Sequence, residues 1–374
     1  MDGVASGSDA DVWVLCLTLW ALGSGLWELG IESWELTARS SWRDGWRRVF
    51  AAPALVAGVF ALTFLLALPL VITLRGMLAA HLGGSLAAET AASGINYDWW
   101  QEFTAQATGL GTTFTPSVIG FATVLDNISG VLDARARIAP LATALALYLV
   151  GWAFLSGGIL DRYARQRPIH VHGFFAASGA YGVRFVRLAV IAGLIYWWLF
   201  AYVHPWLFDT QFDNLTRGMN TERAAFLVRA IFYVFFGGVL LAVNLVVDYT
   251  KVRIVVEDRR SAIGAIAAAV RFIRTHLRQV LALYALNSLT FLVLIAMWAL
   301  IAPGVGDAGL SMWAGFVVAQ LYIVARLLLK VQFIASQIAL FQANLAHASY
   351  VSAPVPVWPD SPAAEAIDSS PRSA

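Results

Sequence analysis

Residues 49–74 read VFAAPALVAGVFALTFLLALPLVITL, 26 positions without a charged side chain. A helix crossing the hydrocarbon core of a bilayer needs about 20 apolar residues. It must also be regular, because lipid offers no partner to an unpaired backbone N–H or C=O. The stretch therefore predicts a transmembrane helix. Five further runs of the same character follow at 138–160, 188–207, 224–247, 280–302 and 310–329. The fold class expected from them is all-α: a polytopic membrane protein with about six transmembrane helices.

Composition agrees. Of 374 residues, 59% are hydrophobic and 13% charged, with a mean hydropathy of +0.70. A soluble domain carries about a quarter charged residues, so this chain has too little charge to cover itself in water. Fifteen Trp and eleven Tyr suit long membrane–water boundaries, where amphipathic rings settle. A net charge of +2 gives no reason to expect nucleic acid as a partner. The single cysteine, Cys16, leaves no intrachain disulfide and no Cys-based metal site.

Basic residues orient the spans. Arg39, Arg43, Arg47 and Arg48 precede the first; Arg162, Arg165, Arg167, Arg184 and Arg187 lie between the second and third. Lys251, Arg253, Arg259, Arg260, Arg271, Arg274 and Arg278 lie between the fourth and fifth, and Arg372 is in the tail, so 17 of 25 share one side. The other side has Arg75, Arg135, Arg137, Arg217, Arg223 and Arg229. The excess predicts that the first side, with both termini, is cytoplasmic.

Three regions are expected: an N-terminal amphipathic region at 1–48, a membrane domain at 49–345 with an external excursion at 76–136, and a Pro/Ala/Ser-rich disordered tail at 346–374. At 12–29 the chain is apolar enough for a short seventh span. Trp13, Trp20, Trp27 and Trp34, however, recur every seven residues and form one helical stripe, which suits a helix lying in the interface. No basic residue precedes it, unlike an ordinary signal peptide. In the excursion, Thr115-Pro116 predicts a helix start, with the helix running through Leu132.

A weak repeat organises the membrane domain. The third span is entered through GFFAASGAYGVRFVR (173–187) and the fifth through AIGAIAAAVRFIR (262–274), with a looser match at 42–50. The implied unit is a cytoplasmic amphipathic helix and a membrane hairpin, three times in parallel. Together with GGILDRYAR at 157–165 and the 248–274 segment, this layout resembles the bacterial six-helix membrane families related to the membrane domain found beside some glycerophosphodiester phosphodiesterases. The resemblance covers roughly 137–345 and implies a bacterial inner membrane. No catalytic barrel is present, so it implies no activity.

Candidate site residues fall in two groups. Arg271, Arg274 and Arg278 at i, i+3 and i+7, with Arg184 and Arg187 one repeat earlier, predict basic helix faces able to hold an anionic lipid headgroup or a phosphate-bearing ligand. The same arginines equally serve topology alone, snorkelling to headgroups. Arg229, Gln320 and Arg326 fall within or near spans, where a charge is a functional pointer; together they would line a pathway for an anionic or amphiphilic solute. Arg229, Arg326 and Lys330 all lie near enough to the span ends to snorkel, and Gln320 and Asn287 suit helix–helix hydrogen bonds.

Elsewhere, Asp98 and Glu102 share a helix face as a conceivable acid/base or cation pair near His81 and Asp126. Trp99, Trp100 and Phe103 beside them favour docking on the membrane or bundle. His170 and His172 lack further ligands for a metal. No nucleotide, serine-hydrolase or zincin motif occurs. The expectation is a non-enzymatic membrane protein with no catalytic residues, cofactor or metal, whose partners are membrane lipids, with a protein or a second copy as the further partner class.

Overall fold

Every regular element among the described residues is helical. The computed structural model describes residues 37–93, 96–114, 120–135, 139–168, 170–302 and 309–347. The tryptophan stripe, the 12–29 segment, the Thr115-Pro116 start signal and the tail after Tyr350 lie outside them.

Helix α1 occupies 37–50. Ala52 then leaves helical backbone (φ −141°, ψ 59°), and α2 (Pro53–Leu82) begins with proline in its first turn, where a missing N–H has no intrahelical bond to lose. Val49 and Phe50 thus close the entry helix instead of opening the span. The excursion folds as α3 (Ala87–Ser93), α4 (Tyr97–Gln106), a 3₁₀ turn (Gly109–Thr113) and α5 (Gly120–Leu132). Asn96 caps α4, its side chain accepting from the Trp99 N–H.

The chain returns through α6 (Ala139–Arg165) and leaves through α7 (Val171–Trp198). Here the amphipathic entry and the span are one unbroken helix. It continues through two wide π-helical segments, Leu199–Val203 and Trp206–Gln211, into α8 (Phe212–Thr216). Pro205, which has no N–H to give, sits between the two segments. Next come α9 (Glu222–Val256), α10 (Ala262–Thr275), α11 (Leu277–Ile301) and α12 (Leu310–His347). Six of these helical stretches are long and apolar enough to cross a membrane: α2, α6, α7 through α8, α9, α11 and α12.

Their lengths exceed the bilayer. The 38 residues of α12 rise about 57 Å at 1.5 Å each, against a hydrocarbon thickness of roughly 30 Å. The overhang is where the core lies. Val49 ends α1, Val56 and Val59 begin α2, Ile159, Leu160 and Tyr163 end α6, and Tyr249, Val252 and Ile254 end α9. They pack with Val280 and Leu283 at the start of α11 and with Val331 through Phe341 near the end of α12. All belong to the end that the basic residues mark. Toward the other end the spans expose their apolar side chains, and only 6 to 28% of each apolar stretch is buried. Lipid is as apolar as leucine, so apolar surface gains little by leaving it, whereas burial away from water stabilises by about 1.5–3 kcal/mol per large side chain. A water-driven core therefore forms where helices leave the bilayer.

Each entry helix packs on the end of an exit helix. Gly45 of α1 lies so close to α12 that a Cβ there would meet the Gln332 Oε1 at 2.8 Å and the Ser336 backbone N at 2.9 Å. Gly157 and Gly158 of α6 receive α7, and the Gly158 N–H donates to Ser178 Oγ (3.2 Å). On α9, the Tyr249 ring packs at a tilt against Phe272 of α10, whose Ala265, Ala268 and Ala269 are buried. A second, smaller cluster of Leu199, Leu207 and Phe236 sits at the other end, where His204 Nε2 lies 2.8 Å from the Leu132 carbonyl.

Candidate functional site

The five basic residues singled out from sequence divide into one that is bound and four that are not. Arg184 is half-buried, paired with Asp258 (2.6 Å), donating to the Arg259 carbonyl (3.3 Å) and placed over the Tyr181 ring. That guanidinium holds the Asp258 carboxyl below the usual carboxylate range. Asp258 itself has φ +50°, the left-handed region that Asp tolerates better than most residues. Arg184 thus staples α7 to the loop before α10.

Arg187, Arg271, Arg274 and Arg278 are exposed and make no hydrogen bond or ion pair among the described residues. The i, i+3, i+7 face does not persist, however. His276 (φ −115°, ψ 30°) ends α10, so Arg271 and Arg274 lie on α10 while Arg278 is in the first turn of α11. Thr275 Oγ1 donates to the Arg271 carbonyl and the His276 ring bonds the Phe272 carbonyl; side chains that bond the last-turn carbonyls compete with continuation of the helix.

No hydrogen bond, ion pair or ring contact among the described residues joins Arg229, Gln320 and Arg326 to one another. Arg229 donates from Nε to the Tyr233 hydroxyl (3.1 Å) and lies over the Phe212 and Tyr233 rings. Tyr233 donates in turn to Asp133 (2.5 Å), which also receives Ser129 and Arg135. The hydroxyl donors Tyr233 and Ser129, with Arg135, hold the Asp133 carboxyl below its usual range. This is a latch between the excursion and α9. Gln320 is half-buried, and Arg326 is exposed with its guanidinium over Tyr322.

A buried polar layer lies at the packed end of the bundle. Arg48 is 8% exposed. It bonds Asp44 (2.7 Å), the Tyr163 carbonyl (2.9 Å) and Gln342 Oε1 (2.8 Å), and Gln342 donates to the Ala164 carbonyl (2.9 Å). Gln332 donates to the Trp42 carbonyl (2.8 Å), and Asn287 donates to Ser336 (3.0 Å). Asp248 accepts from Tyr284 (2.9 Å) and Lys251 (3.1 Å), while Gln337 donates to the Tyr284 hydroxyl (2.9 Å). Nearby on α12, Lys330 sits 3.6 Å from the centre of Trp152 and donates to Tyr148 (2.8 Å). Gln332, Gln337 and Gln342 are the signal that was available. A spacing of five rotates each about 140° from the last, so they serve three neighbours, and only a helix surrounded on all sides needs that.

In the excursion, Trp99 and Phe103 are buried, stacked on one another and edge-on to His81, to which the Trp99 indole donates (3.0 Å). Asp98 and Glu102 point away, exposed; Glu102 accepts only a long bond from Gln106 (3.5 Å). Asp126 pairs with Arg135 (3.0 Å). The segment therefore docks on the end of α2 and assembles no acid/base pair. His170 and His172 are exposed, and no cluster of three metal-ligating side chains occurs among the described residues.

Compared with known proteins, the chain matches no family model, no curated protein and no solved structure.

Proposed function

We propose that this is a non-enzymatic protein of a bacterial inner membrane that engages anionic lipid through its basic cytoplasmic helices. One observation carries it: Arg187, Arg271, Arg274 and Arg278 stay unpaired and exposed at the packed end of the bundle, while Arg48, Arg184 and Arg253 at the same end are paired. Exposed arginines beside a membrane surface each attract anionic headgroups by about 1 kcal/mol. The distribution of basic residues puts this end and both termini in the cytoplasm. Three parallel hairpins organise the domain, with α1, the first half of α7 and α10 lying at the interface. The docking of α1 on α12, α7 on α6 and α10 on α9 supports that order. A second copy or another protein is the remaining partner class.

The test is thermal unfolding of the full chain in mild detergent with added phosphatidylglycerol or phosphatidylcholine. A ligand that binds the folded state raises apparent stability. Phosphatidylglycerol should raise Tm more than phosphatidylcholine, and Arg271→Gln/Arg274→Gln/Arg278→Gln should shrink the difference. Equal shifts from the two lipids would refute lipid recognition.

A second reading, transport of an anionic solute, is favoured by the three cations Lys251, Arg326 and Lys330 near the single carboxylate of Asp248. Stabilisation by a soluble anion that survives the triple substitution, with no response to lipid, would select it.

A further inference from the structure

We infer that an apolar groove between α7 and α9 seats one acyl chain of an anionic phospholipid, with the phosphate of its headgroup at Arg187 and Arg260. This deepens the lipid engagement proposed above and rests on it. The groove is an open cavity of about 270 Å³ lined by carbon side chains alone. Leu188, Ala192 and Ile195 form its α7 wall, Ala242 and Val246 its α9 wall, and Ile266 of α10 closes it. All but Ile266 belong to helices that cross the membrane. A concave apolar surface at that depth meets lipid chains, not water.

What separates this groove from any other lipid-facing surface is the charge at its mouth. Arg184 lies one helical turn before Leu188, on the same face of α7, and Arg187 is next to Leu188 in sequence and exposed. Arg184 holds Asp258 and the Arg259 carbonyl, which fixes the 257–261 loop beside the base of α7. That loop carries Arg259 and Arg260 directly into α10, and Ile266 comes little more than one turn later. Four arginines thus stand against Glu257 and Asp258. Arg184 and Arg259 are paired with those carboxylates, leaving Arg187 and Arg260 for a headgroup. An apolar slot capped by two exposed cations that form no ion pair among the described residues is complementary to a lipid that is apolar along its chain and anionic at its head.

The test uses the full chain in detergent with dioleoyl phosphatidylglycerol or phosphatidylcholine, each carrying a photoactivatable group in one chain. Cross-links from phosphatidylglycerol should concentrate on 188–195 and 242–247 and exceed those from phosphatidylcholine. Arg187→Gln and Arg260→Gln should each weaken that labelling roughly fivefold, as expected for about one surface charge apiece. Ala242→Trp, placed on the exposed rim, should fill the groove and remove the labelling; if that variant does not fold, the arginine variants and the labelling map still decide. Labelling spread evenly over all six spans, or equal from the two lipids at the groove, overturns the assignment. If the triple substitution on α10 and α11 abolishes the phosphatidylglycerol shift while the groove stays unlabelled, the groove falls and the lipid reading stands. If phosphatidylglycerol stabilises no better than phosphatidylcholine, both fall.

Discussion

Arg48 and Arg187 show what a single position decides in this protein. Both belong to the basic set that orients the chain, yet one is buried among three partner groups and the other is exposed. Removing one partner of a buried charge network costs about 3 kcal/mol, so Arg48→Met should lower stability by roughly that amount in thermal unfolding. Arg187→Gln should change it by less than about 0.5 kcal/mol, as surface substitutions do. The sequence made the sign of these charges legible but not their partners, because Asp44 is near Arg48 in the chain whereas Tyr163 and Gln342 are not. Asp258 and Asp133 add a dependence on pH. Both carboxyls titrate below their ordinary range in the folded protein, Asp258 through Arg184 and Asp133 through its hydroxyl donors and Arg135. The contribution of such a group is present above the ordinary carboxylate pKa and is lost as pH falls through the lower, folded value. Acid titration of stability should therefore show a loss below about pH 4, and Asp258→Asn should remove part of that response by forfeiting, already at neutral pH, the contribution of the Arg184 pair.

Among elements, α12 does most to position the inner end. Its final turns meet α1 through Gln332, α11 through Gln337 and α6 through Gln342. The apolar run at 310–329 announced only its membrane half. The continuation to His347 depends on tertiary partners that no local pattern contains. The same holds for the other boundaries. Pro53 marks the true start of α2, and side-chain bonds at Thr275 and His276 end α10 where sequence periodicity would carry the helix on. Close helix approach is checkable by substitution. Gly158→Leu would drive side-chain atoms into the Phe174 ring, which a Cβ alone would meet at 2.5 Å. A loss of about 1–3 kcal/mol is expected from overpacking. Gly179→Ala, with nothing within 4 Å, should instead stabilise α7 by up to about 1 kcal/mol. Equal effects of the two substitutions in denaturation would mean that α6 and α7 do not meet at Gly158.

At the scale of the molecule, six apolar helices expose most of their apolar surface along their spans and pack at one end around a hydrophobic core that includes a layer of buried polar side chains. Six apolar runs, four of them without any charge, made the spans legible from sequence. The location of the core was not, since composition does not distinguish a leucine facing lipid from one facing another helix. Lipid recognition by Arg187, Arg271, Arg274 and Arg278, as proposed, requires this end to lie outside the hydrocarbon and on the cytoplasmic face. The most direct measurement is sidedness. In a Cys16→Ser background, Glu102→Cys and Arg274→Cys would be exposed to a membrane-impermeant maleimide in intact bacterial cells and after lysis. Labelling of position 102 in intact cells, and of position 274 only after lysis, is the predicted result. Labelling of position 274 in intact cells, with 102 protected, would contradict the account.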